Sequence, residues 1–131
     1  MKKRNKILLI GIVILLVIYA AGNLVIKNIE SDLKELSTLE ITDVDFSQLK
    51  NGTYKGSYAV FPVDVEVEVE VSDAEIQTIQ IVKHRNGQGK PAEIIPSLVV
   101  KNQSLDVDVI SGATYSSKAI LKAIELAVLQ K

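Results

Sequence analysis

Strict alternation is the clearest pattern in the chain. Val63, Val65, Val67, Val69 and Val71 alternate with Asp64, Glu66, Glu68 and Glu70. Period two with β-branched residues predicts a half-buried strand, Val face to the core and acidic face to water. The acidic stripe is read as a solvated face. A flat strand is a poor calcium site, since calcium wants about six to eight oxygens converging from a curved loop. Ser72-Asp73-Ala74-Glu75 predicts a hairpin loop into a second strand over Ile76 to Val82. Asn51-Gly52 is a turn signal, and Gly52 to Tyr58 reads as an earlier strand. The period then lengthens. Pro91 to Gln103 predicts a helix with Ile94, Ile95, Leu98 and Val99 on one face. Pro91 suits a first-turn position, and Pro96 is expected to break or kink the helix. Leu105 to Ile110 reads as a short strand. Ser116 to Gln130 predicts a last helix whose buried face is Ala119, Ile120, Ala123, Ile124 and Ala127. Its small residues allow close packing on a sheet.

The first part of the chain has another character. Ile7 to Ile26 carries no charge and one strongly polar residue, Asn23. A helix of about 20 residues spans about 30 Å, the hydrocarbon thickness of a bilayer. Lys2, Lys3, Arg4 and Lys6 precede it and are expected to stay in the cytoplasm, with the rest of the chain outside. Ala20-Ala21-Gly22 leaves a cleaved signal peptide open as the alternative. Ile26, Ile29, Leu33, Leu36 and Leu39 then recur at helical spacing among charged residues, predicting an amphipathic helical stalk. Asp43 to Leu49 reads as a short helical turn. The expected domains are a cytoplasmic tip and transmembrane anchor over 1–26, a helical stalk over 27–40, and one folded domain over 41–131. The fold class is α+β: a small antiparallel or mixed sheet with helices packed on it, preceded by a single N-terminal transmembrane helix.

Charge and composition narrow the function. The net charge of −1 hides an asymmetry, because all 16 acidic residues lie after the apolar run. An acidic outer part argues against a nucleic-acid partner, which wants a basic patch. The chain has no cysteine. That excludes a disulfide framework, thiolate metal sites, iron–sulfur ligation and a lipid-modified cysteine. His84 is the only histidine, so a Ser-His-Asp arrangement would have to use it, and no spacing supports one. Lys83 to Lys90 holds it among two glycines and basic residues, which reads as a flexible basic loop leaving the sheet.

Candidate chemistry lies in Asp108-Val109-Ile110-Ser111-Gly112-Ala113-Thr114-Tyr115-Ser116-Ser117. Small residues and hydroxyls gather here at the entrance to the last helix. Gly112 and Ala113 let another group approach the backbone. The first turn of a helix has unpaired N–H groups and the positive end of the dipole, which favour an anion or phosphate. An ordinary turn with a Ser or Thr cap is the alternative for the same residues.

Asp-x-x-Ser-Gly-Ala-Thr-x-Ser, read at Asp108, Ser111, Gly112, Ala113, Thr114 and Ser116, resembles the flavinylation motif of the FMN-binding domain family. That family includes the G subunit of the Rnf electron-transport complex and the C subunit of the sodium-pumping NADH:quinone oxidoreductase. The similarity covers roughly Asn51 to the C-terminus. The resemblance implies that Thr114 carries FMN through a phosphoester bond, attached from FAD by a flavin transferase with magnesium. It also implies a loop near the flavin holding His84, although the family's Glu-Thr-Pro-Gly continuation is replaced here by Arg-Asn-Gly-Gln-Gly. An apolar residue of the helix after that loop would lie against the ring, with Leu98 the candidate; plain core packing is its alternative. The implied whole is a membrane-anchored, extracytoplasmic carrier relaying electrons between redox partner proteins. A tethered binding or scaffold module without flavin, and a reductase with its own acceptor, are the other classes.

Overall fold

The computed structural model describes residues 2–85 and 87–130, and the contacts divide the chain into two compact units, one ending at Asp32 and the other beginning at Leu33. The first helix, α1 (Lys2–Thr38), runs through both. In the first unit nearly every described side chain is exposed, with Ile7, Leu15 and Tyr19 at 70%, 67% and 72%. Asn5–Thr38 has a mean hydropathy of 2.7 over its most apolar window, long and apolar enough to cross a membrane. Asn23 donates its side-chain amide to the Tyr19 carbonyl at 2.9 Å, so its polarity is satisfied within its own helix.

The second unit is a three-stranded antiparallel meander in the order β1 (Gly52–Val60), β2 (Val63–Ser72), β3 (Glu75–Arg85), with α2 (Ile95–Asn102) beside β3 and α3 (Thr114–Leu129) across β1 and β2. The alternating strand behaves as its pattern requires. Its five valines are no more than 5% exposed. Ala119, Ile120, Ala123, Ile124 and Ala127 of α3 lie against that face and are fully buried. Gly56, opposite Val67 in β1, lets the helix come this close. A Cβ there would stand 2.7 Å from the Ala127 Cβ and press on the Ala123 carbonyl oxygen. Leu36, from the last turns of α1, is also in this core, as is Phe46 in a 3₁₀ turn capped by Asp45.

Four local expectations are corrected. The second hairpin is tighter than a four-residue loop, because Ser72 pairs with Glu75 and only Asp73 and Ala74 turn the chain. Both take positive φ, 54° and 62°, the two-residue geometry that suits the right-handed twist of a hairpin. Asp-Ala lacks the glycine that marks such turns in sequence. The helix expected over Pro91 to Gln103 is two pieces, a 3₁₀ turn over Lys90–Ile94 and then α2. Pro96 lies in the first turn of α2, where its missing N–H leaves no bond unmade. Leu105 to Ile110 forms no strand, because four of its N–H groups are taken by acceptors outside any sheet. Asp43 Oδ1 accepts from Leu105, Ser104 Oγ from Asp106, the Leu105 carbonyl from Val107 and Ser117 Oγ from Ile110. The fourth correction, at His84, belongs to the site.

Candidate functional site

β3 holds one residue too many at two places. Glu66 faces Lys83 while Val67 faces Ile81, which leaves Val82 as a bulge; Gln77 is bulged in the same way near Val71. An extra residue reverses which face the following side chains meet. Ile79 and Ile81 point inward opposite Val69 and Val67. Beyond Val82, Lys83 turns outward and His84 turns inward, opposite Val65. His84 is therefore in the sheet and not in a solvated loop, and its side chain is 2% exposed. Its Nδ1 lies 2.9 Å from Glu93 Oε1 and its Nε2 lies 3.0 Å from Ser116 Oγ. An ionised carboxylate only accepts, so Nδ1–H donates to Glu93, and Nε2 is left in hydrogen-bond contact with the Ser116 hydroxyl.

The motif itself is a closed turn on the first turn of α3. The Ala113 N–H donates to the Ile110 carbonyl at 2.9 Å, with Gly112 between them at a φ of 79°. That value belongs to the third position of a type II turn, which glycine fills without strain. Ser117 Oγ accepts from the Ile110 N–H at 3.0 Å and donates to the Ala113 carbonyl at 2.8 Å, tying both ends of the turn to the helix. Ala113 caps α3 without a side-chain bond, and Thr114 is its first residue, half-buried. First-turn N–H groups of a helix have no partner within it.

A cleft of about 510 Å³ opens in front of this turn. Gly112, Ala113, Thr114, Tyr115 and Ser116 form one part of its lining, and Gly87, Gln88 and Gly89 another. A Cβ at Gly87 or Gly112 would meet nothing within 4 Å, so the space before both is open. The structure thus brings together Gly112, Ala113, Thr114 and Ser116, with His84 touching Ser116 from behind. Ser111 and Asp108 are exposed and outside the cleft lining, and Asp108 makes no hydrogen bond among the described residues. Leu98 is half-buried in α2, packs against the core and does not line the cleft. Glu93 carries no motif signal. Its link to His84 needs both the bulge and the 3₁₀ turn, so sequence reasoning missed it.

Among the described residues no group of His, Asp and Glu is placed to hold a metal ion. The acidic stripe of β2 is paired instead. Lys83 Nζ lies 2.6 Å from Asp64 and 3.4 Å from Glu66, and Lys55 lies 2.6 Å from Glu68. Donating to the Asp64 carboxylate holds the Lys83 ammonium above its ordinary pKa, and donating to Glu68 does the same for Lys55.

Known proteins resemble this chain in sequence. The FMN-binding domain family matches residues 61–129, which take in β2, β3, the Gly87–Gly89 and Gly112–Ser116 parts of the cleft lining and all of α3. A urocanate reductase of Eggerthella lenta is 38% identical over 68 residues, 50% of this chain and 11% of the reductase. An NADH:acrylate oxidoreductase of Vibrio harveyi is 34% identical over 99 residues, 73% of this chain and 9% of that protein. An uncharacterized protein of Treponema pallidum is 30% identical over 82 residues, 60% of this chain and 23% of the other. This chain therefore spans less than a quarter of each relative. By the family match over more than half its length, with the turn and the closing helix inside the matched stretch, the chain is a member of the FMN-binding domain family.

Proposed function

We propose that this chain carries FMN bound covalently to Thr114 and relays electrons between redox partner proteins at the outer face of a cytoplasmic membrane. The observation that carries the reading is the place of Thr114. It opens α3 on the lining of a cleft in which Gly87 and Gly112 leave open space. That cleft suits a flat ring system, and the N–H groups of the first turn suit a phosphodiester. When bound, the flavin supplies the redox chemistry, and the protein supplies orientation and environment.

In the attachment, Thr114 Oγ1 forms a bond to the FMN phosphorus of FAD, the bond to the AMP oxygen breaks, AMP leaves, and the hydroxyl proton goes to a base. A threonine hydroxyl is a weak nucleophile at neutral pH, so that base has to be provided. A flavin transferase working with magnesium is the catalyst of this reading. Asp108, exposed six positions before Thr114, is free to meet the transferase or its metal. The reductase names of two relatives fit a redox role. The matched stretches are 11% and 9% of those proteins, so we assign the shared part to carrying electrons and the remainder to substrate chemistry. The basic residues before Ile7 favour an inside N-terminus and an outside domain.

The test is the intact mass of the purified full chain. With transferase, FAD and magnesium it should rise by one FMN less one water. FMN alone should leave it unchanged. Thr114→Ala should abolish the increase and keep the fold. Peptide mapping that finds the flavin on Ser111, Ser116 or Ser117 would refute the attachment site, and so would full modification of the Thr114→Ala protein.

A further inference from the structure

His84 and Glu93 stand on either side of the stretch that contributes Gly87, Gln88 and Gly89 to the cleft. Their 2.9 Å contact closes that stretch at its base. The other nitrogen of the same ring reaches Ser116, two residues after Thr114 in the first turn of α3. One buried imidazole therefore joins the base of the Gly87–Gly89 stretch to the first turn of α3, two parts of the cleft lining. We propose that His84, held by Glu93, is a positioning residue for flavin attachment: the Glu93–His84–Ser116 contacts fix the Gly87–Gly89 stretch against the first turn of α3, at the separation in which Thr114 can be modified. The proposal rests on the covalent-flavin reading above.

The physical argument is geometric. A side chain held from both ring nitrogens has no rotational freedom left, and it is almost fully out of water. Losing one contact removes a hydrogen bond from a ring almost fully out of water and lets the Gly87–Gly89 stretch and the first turn of α3 move apart. The same order of groups serves hydrolases, but Ser116 is 1% exposed, so its hydroxyl is spent on the ring and not offered to a substrate.

The experiment uses the full chain in detergent and three variants. Glu93→Gln keeps an oxygen that accepts from Nδ1–H; Glu93→Leu removes it; Ser116→Ala removes the contact at Nε2. Two quantities are read: the first-order rate of mass increase with transferase, FAD and magnesium, and amide hydrogen exchange before modification. Ser116→Ala and Glu93→Leu should each slow modification about tenfold, the factor carried by one hydrogen bond to a charged or buried group. Both should speed exchange at Gly87–Gly89 and leave the centre of β2 unchanged. Glu93→Gln should stay within about twofold of wild type, because the bond survives without the charge. Glu93 is 39% exposed at its side chain, so its two variants carry the test should Ser116→Ala fail to fold. Equal modification rates for wild type and Glu93→Leu would overturn the proposal. Slowed modification with unchanged exchange at Gly87–Gly89 would do so too. A wild-type chain that is never modified would sink the flavin reading, and exchange alone would then decide whether the three residues hold the cleft.

Discussion

Gly56→Ala should loosen the helix that carries the motif. Position 56 lies under α3, and the added Cβ would stand 2.7 Å from the Ala127 Cβ while overlapping the Ala123 carbonyl. Carbon atoms at rest keep about 3.5–4.0 Å apart, so the helix has to rise by about 1 Å or the strand has to sink. Overpacking of this kind costs about 1–3 kcal/mol, and the reduced freedom of the unfolded chain returns about 0.4–1 kcal/mol. Part of the clash is with backbone, which cannot rotate away, so the upper half of the range applies and the net loss is about 2 kcal/mol. For a domain of this size each kcal/mol moves the melting temperature by about 4–8 °C, which puts the drop at about 8–16 °C. Calorimetry of the detergent-purified chain reads it, with Ser57→Ala on the exposed face as the control. Adding Ala127→Gly should recover part of the loss, because it removes one of the three clashing atoms and leaves the Ala123 carbonyl oxygen and the Ala127 backbone nitrogen. A Gly56→Ala melting temperature within a degree or two of the Ser57→Ala control would mean that α3 does not lie on β1 as described.

Val67→Asp should destabilise the second unit by several times more than Glu68→Lys, since Val67 is 1% exposed and an unpaired carboxylate there is costly. Glu68→Lys loses a surface pair with Lys55 worth about 1 kcal/mol or less, and equal thermal shifts for the two would reverse the assignment of faces. Asp108→Ala should slow covalent flavin attachment and leave the melting temperature unchanged, because its side chain is exposed and unbonded among the described residues. Wild-type rates of attachment in that variant would end its role in the transfer. The chain should sediment with membranes and expose the second unit to protease added from outside; recovery of that unit as a soluble cytoplasmic protein would refute the placement.

What the sequence made legible follows from where one force dominates. Val63 to Val71 and the Ala-Ile face of α3 are set by burial alone, and burial leaves a period that can be read directly. The motif was legible as a helix entrance because glycine and hydroxyl residues gather there. His84 was misplaced for a physical reason. Ile79, Ile81 and Val82 are equally apolar, so nothing in the residue types shows that Val82 is the one squeezed out of register. The glycines and charges that follow then pull the reading toward a loop. Leu105 to Ile110 failed differently. Its composition fits a strand, but a strand needs a neighbour, and Asp43, Ser104 and Ser117 had already taken its N–H groups. Those three side chains are far from obvious partners in a linear reading, Asp43 above all. Leu98, taken as ring-facing from the resemblance, packs against the core and lies outside the cleft lining.

Ser117 ties the shape of the motif to the folding of α3. Its hydroxyl closes the turn only when the first turn of α3 exists, because the oxygen that holds Ile110 and the carbonyl it donates to are brought together by that helix. An unfolded chain presents the same ten residues without the shape. On the covalent-flavin reading, a modifying enzyme that grips the closed turn is thereby blind to nascent, misfolded or degraded copies. A free peptide spanning 108–117 should react far more slowly than the folded chain, and equal rates would contradict this. Maturation then has a fixed order: the chain folds first, and the expensive prosthetic group is committed only to copies that have passed that check.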